Sequence, residues 1–160
     1  MYLTKMYNLR LFFIGLFLTF IFNYSLADII KPNISIEPIQ VVKIQLKSLQ
    51  NNDKPIKDNG IDQTWLFAHP NNQRYTGPIE KFKDMLKSDS FSMLLNHVQH
   101  EIREVYRSDN TATYEVIILD QNKKYFKFKW QVEKYLQEGL LKNCWLTTAV
   151  SQPVDMGSSI

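Results

Sequence analysis

The chain has 160 residues, 44% of them hydrophobic and 22% charged, with 19 basic side chains, 16 acidic ones and one cysteine. A lone cysteine excludes an intramolecular disulfide, and the length suits one domain that buries roughly two-thirds of its unfolded surface. The net charge of +3 is carried partly by the N-terminal segment, and no basic stripe remains beyond it to act as a footprint for nucleic acid.

In residues 1–27, Lys5 and Arg10 flank the start of an uncharged run, Leu11 to Phe22, which closes on Ser25-Leu26-Ala27. A charged start, a short apolar middle and small residues at the end are the parts of a secretory signal peptide. The segment therefore predicts export, to the periplasm or beyond the cell, with cleavage after Ala27. The alternative is an uncleaved membrane anchor over residues 11–27, about 17 residues long and at the lower limit for a spanning helix. Asn23, Tyr24 and Ser25 count against it, because they bring polar groups to its buried end. A cysteine near the cleavage point would mark a bacterial lipoprotein, and none stands there. Cleavage removes Lys5 and Arg10, which leaves 133 residues with 17 basic against 16 acidic, net +1.

Residues 28–37 read as an extended lead with Pro32, and Asn33-Ile34-Ser35 fits a glycan-acceptor pattern that has meaning only in a eukaryotic secretory route. From Pro38 to about Asn51, Ile39, Val42, Leu46 and Leu49 recur at three- and four-residue spacing, one face of an amphipathic helix. A second helix is predicted over 61–69, with Ile61, Trp65 and Ala68 on one face and Pro70 as its stop. Residues 71–76 read as a loop. A third helix starts at Gly77-Pro78, carries Ile79, Phe82, Met85 and Leu86 on its apolar face, and ends at Ser88-Asp89-Ser90.

After residue 90 the period changes from 3.6 to 2. In Tyr125 to Glu133, Phe126, Phe128, Trp130 and Val132 face one way, while Lys127, Lys129, Gln131 and Glu133 face the other. This is a half-buried antiparallel strand, and its lysines are a solvent face. Further strands are predicted over 91–106, 113–119 and 141–150, joined by turn-forming residues, with a flexible tail over 152–160. The order predicts an α+β domain over 38–151: three N-terminal helices packed on a curved four-stranded antiparallel sheet.

The chain resembles the nuclear-transport-factor-2-like (SnoaL-like, cone-shaped α+β) superfamily, and within it an uncharacterised family of exported or organellar domains of bacteria and plants. The resemblance rests on Val41-Val42-Lys43-Ile44-Gln45-Leu46 with Leu49-Gln50-Asn51-Asn52-Asp53, Trp65-Leu66-Phe67-Ala68-His69-Pro70, and Thr76-Gly77-Pro78 with Phe82 and Met85. Leu94-Leu95-Asn96-His97 and Cys144-Trp145-Leu146-Thr147-Thr148 with Val150 extend it over about residues 38–151. The resemblance implies a cone enclosing a pocket between helices and sheet. In the enzymes of that superfamily a His or Asp in the pocket acts as general base, but this family has no established activity.

Of His69, His97 and His100, His97 is the candidate base, its imidazole titrating near neutrality when unperturbed. A structural, hydrogen-bonded His97 is the alternative. On a regular strand His97 and His100 point to opposite faces, which counts against a shared pocket and against a metal site. His69, at the end of the second helix, reads as a cation facing the negative helix end. Trp65, Phe82, Tyr106, Trp130 and Trp145 are candidates for an aromatic ligand pocket, with plain core as the alternative. Thr147 or Thr148 can offer a hydroxyl to it. Glu101, Glu104 and Glu115 show no catalytic pairing, and Cys144 reads as a small buried hydrophobe. No cofactor or metal is implied.

The sequence thus predicts a non-catalytic binding or scaffold domain with an apolar pocket, whose partner is a small apolar ligand or a protein. The alternative is an isomerase- or dehydratase-like enzyme with His97 as general base. Lys127, Lys129 and Glu133 also permit a self-complementary homodimer contact through the sheet.

Overall fold

Residues 29–158 are described in a computed structural model, and the predicted signal segment, residues 1–27, lies outside them. The extended lead is tied down at Ile30, whose backbone N–H and C=O each bond the Gln63 side-chain amide at 2.7 Å. Helix α1 spans Pro38–Gln50. Pro38 occupies its first turn, where a missing N–H costs nothing, and the Gln40 side chain accepts the Glu37 N–H at 3.0 Å. Val41, Val42, Leu46 and Leu49 are wholly buried, each worth about 1.5–3 kcal/mol relative to an exposed position.

Helix α2 spans Asn59–Leu66 and crosses α1 closely. The crossing depends on Gly60. A Cβ there would lie 2.1 Å from the Ser48 carbonyl oxygen. Asn52, buried in the preceding turn, accepts the Ile61 N–H on its side chain and the Gly60 N–H on its backbone carbonyl.

Helix α2 ends at Leu66, short of the predicted 69, and Pro70, predicted as its stop, instead starts another helix. Residues 71–76, predicted as a loop, belong to α3 at Pro70–Thr76. His69 caps it, its Nδ1 accepting the Asn71 N–H at 3.1 Å, and Pro70 supplies the preset φ of a first helical residue. His69 is therefore a neutral cap on a helix start, in place of the predicted cation at a helix end. The break between the helices is held by the sheet, through Thr147 N–H to Phe67 O at 2.7 Å and His69 N–H to Thr147 O at 2.8 Å. Helix α4 spans Ile79–Lys87 and buries Phe82 and Leu86. Among the described residues, four helices therefore precede the sheet where three were predicted.

Residues 91–98, read as the start of the first strand, instead form a 3-10 turn at Ser92–Leu94 and a connector. Phe91 and Leu94 are buried there, and Asn96 takes a left-handed φ of 54° that redirects the chain. The strands are β1 Gln99–Arg107, β2 Thr111–Leu119, β3 Lys124–Lys134, β4 Trp145–Val150 and β5 Val154–Ser158. All pair antiparallel, in the order β1-β2-β3-β4, and β5 pairs with β3 beyond β4. The predicted four strands become five because part of the expected tail folds back along Lys124, Phe126 and Lys127.

The predicted alternation in β3 is present: Phe128, Trp130 and Val132 are buried, in register with Val116, Tyr114 and Ala112 of β2. These residues form the inner sheet face, on which the helices pack around one core. The described residues make an α+β domain of four helices and an open five-stranded antiparallel sheet. None of its helices is long and apolar enough to cross a membrane.

Candidate functional site

Between the helices and the inner sheet face lies a cavity of about 100 Å³. Leu49 of α1, Phe82, Met85 and Leu86 of α4, and Phe91 and Leu94 of the connector form its apolar wall. Trp130 and Val150 close it from the sheet, with Ala68 behind them. Asn72 and Thr76 of α3, both half-buried, stand with Met85 at its rim. Among the described residues, none of those lining the cavity is Asp, Glu, Lys, Arg or His.

The polar members are bonded to one another. Gln45 Oε1 accepts the Thr147 hydroxyl at 2.6 Å and the Trp130 Nε1–H at 3.0 Å. Its Nε2 donates to the Thr64 carbonyl at 3.1 Å. Trp130 Nε1–H is shared with Thr147 Oγ1 at 3.3 Å. At the rim, Asn72 Nδ2 donates to the Thr147 carbonyl at 3.3 Å and the Thr76 hydroxyl to the Asn72 carbonyl at 2.9 Å. In this low-dielectric setting such a network fixes the side chains and removes the cost of burying them.

The aromatic residues singled out from sequence divide. Phe82 and Trp130 line the cavity. Trp65 stands behind Phe82, ring centroids 4.9 Å apart, and Trp145 is buried with the Lys134 ammonium 5.1 Å from its ring centroid. Tyr106 is 56% exposed on β1. Cys144 is buried, which pushes its thiol pKa up and away from reactivity.

His97 is outside the cavity lining and only 2% exposed. Its Nδ1–H donates to the Leu94 carbonyl at 2.7 Å. A carbonyl can only accept, so the neutral ring keeps its lone pair on Nε2, which takes the Nδ1–H of His100 at 2.7 Å. The expectation that these histidines face opposite sides fails, because His97 precedes β1 and the turn at Asn96 swings it onto the side of His100. Burial pulls the His97 pKa down to about 4, helped by nearby His100 and Lys47, while the Leu94 carbonyl works the other way. His100 is lowered by burial and then by Lys47. Among the described residues, no group of three or more His, Cys, Asp or Glu is placed to hold a metal ion.

Gln45 was missed as a site residue, although a signal existed: it is the one polar side chain on the buried face that runs through Val41, Val42, Leu46 and Leu49. Asn72 and Thr76 were missed with their helix. These features define a small α+β domain enclosing a neutral, mostly apolar cavity, an architecture that does not by itself fix a function. No protein-family model matches the chain, and no curated protein or solved structure is significantly similar to it.

Proposed function

We propose that the chain is an exported, non-catalytic binding domain of the cone-shaped, nuclear-transport-factor-2-like kind, and that its cavity takes a small apolar ligand. One observation carries this reading: the cavity is apolar, and its deep polar groups are already bonded to one another through Gln45, Thr147 and Trp130. Such a site offers an apolar guest burial without competing polar groups. Helices stacked on one face of an antiparallel sheet, with the cavity between the layers, support the cone assignment. The enzymatic alternative requires a base that opens onto the ligand. Both ring nitrogens of His97 are engaged outside the lining, which favours binding over catalysis. The test is titration of the purified protein with benzene, followed by NMR. Shifts at the Trp130 indole N–H that vanish in Met85→Trp, which plugs the rim, support the reading; unshifted cavity signals at saturation overturn it.

A second reading, homodimerisation through the outer sheet face, has its own support. Val154 and Met156 are 54% and 51% exposed. Met156 adjoins Ile117 and Tyr125, and Val154 lies beside Val105 and Lys127, near the ion pairs of Glu115 with Arg103 and Lys127. Sedimentation equilibrium should find a dimer that Met156→Glu dissociates; a monomer at all concentrations removes this reading.

A further inference from the structure

We propose that the cavity selects for charge as well as size: it accepts a neutral molecule of roughly six heavy atoms that carries one hydrogen-bond donor, such as a short alcohol, and rejects the corresponding carboxylate. This deepens the ligand-binding reading above and rests on it. The size follows from the volume. About 100 Å³, open at the rim, is of the same order as the 150 Å³ that admits the six carbons of benzene in an engineered protein cavity, and well below the range of pockets for drug-sized ligands.

The charge selection follows from the lining. Recognition of a carboxylate needs a cation or several convergent N–H and O–H donors. Here no described cation lines the cavity, and each donor-bearing side chain already makes a donation within the protein, which leaves only the second amide N–H of Gln45 and of Asn72. Trp130 and Thr147 donate to Gln45, Gln45 to Thr64, Thr76 to Asn72 and Asn72 to Thr147. A carboxylate entering this site would exchange its hydration for at most two amide N–H groups and no counter-charge, a severe penalty for a buried charge. The preference for a donor follows from what is left over. The described hydrogen bonds give the Oδ1 of Asn72, open to solvent at the rim, no protein donor. A ligand with its carbon chain against Leu86 and Phe91 brings a hydroxyl to this oxygen.

Three probes separate the claims: benzene, pentan-1-ol and pentanoate, each titrated at pH 7 against the purified protein and followed at the Trp130 indole N–H. Benzene and pentan-1-ol are expected to bind, pentanoate at least tenfold more weakly. Asn72→Leu, which keeps the rim filled, should weaken pentan-1-ol about tenfold and leave benzene unchanged. Tyr75→Ser, exposed on the same helix and outside the lining, should alter neither. If neither benzene nor pentan-1-ol binds, the cavity reading itself falls. If benzene binds and pentanoate matches pentan-1-ol, charge selection is overturned while the cavity reading stands. If pentan-1-ol binds Asn72→Leu as tightly as the unaltered protein, the rim acceptor is overturned.

Discussion

His97 and His100 illustrate how one backbone dihedral decides chemistry. Spacing alone puts residues three apart on opposite sides of a strand, but the left-handed turn at Asn96 precedes the strand and brings the two rings within hydrogen-bond reach. The consequence is measurable. A histidine held at about 4 in the folded protein against about 6.5 in the unfolded chain makes the unfolded state the better proton binder between those values. Stability from this group is therefore fully present above pH 6.5 and is lost as pH falls toward 4, by about 3 kcal/mol in total. Urea unfolding followed from pH 7 to pH 4.5 should show this loss, and His97→Gln should remove most of the slope. A slope unchanged by that substitution would show that the pair is not its source. Gln45 gives the matching lesson for polar residues. Its position on the apolar face of α1 was visible in the sequence, but its partners Thr147 and Trp130 lie about a hundred residues away and were not. Gln45→Leu should cost about 1–3 kcal/mol in urea unfolding, because it strips a buried acceptor from two donors.

Elements were legible where they bury one face. Helix α1 and strand β3 each hide one side, so burial writes their period into the residue types. Helix α3 has no buried residue, and β5 is exposed throughout; with no core face to select, their sequences carry no period and both were missed. Most of β1 is exposed as well, which explains why its start was misplaced. Local chemistry rather than periodicity builds α3, so it should depend on its cap. His69→Ala, which removes the acceptor for the Asn71 N–H, should destabilise by about 1 kcal/mol and speed amide exchange in residues 71–76. Exchange no faster than in the unaltered protein would mean that the backbone bonds to Thr147 hold α3 without the cap. Gly60 is a different case: Gly60→Ala drives a methyl into the Ser48 carbonyl. A loss of at least 1–3 kcal/mol, typical of overpacking, is expected in the same assay.

For the whole molecule, the described contact nearest in sequence to the predicted export signal is at Ile30. The Gln63 amide grips the backbone of Ile30 on both its N–H and its C=O, and in the sequence only Asp28 and Ile29 separate that residue from the predicted cleavage point after Ala27. A protease that reads its site as an extended strand needs several free residues on each side of the bond, as β-strand recognition generally does. Once the clamp has formed, at most two residues lie between it and the predicted cut. On the proposed export route, cleavage is expected while the chain is still unfolded, before the clamp on Ile30 forms. The expected outcome is that signal peptidase cuts urea-unfolded precursor after Ala27 but cuts refolded precursor at least tenfold more slowly. Gln63→Ala, which releases Ile30, should restore cutting of the refolded protein, and N-terminal sequencing of the product should begin at Asp28. Equal rates for folded and unfolded precursor would separate processing from folding, and a product starting elsewhere would move the boundary of the signal itself.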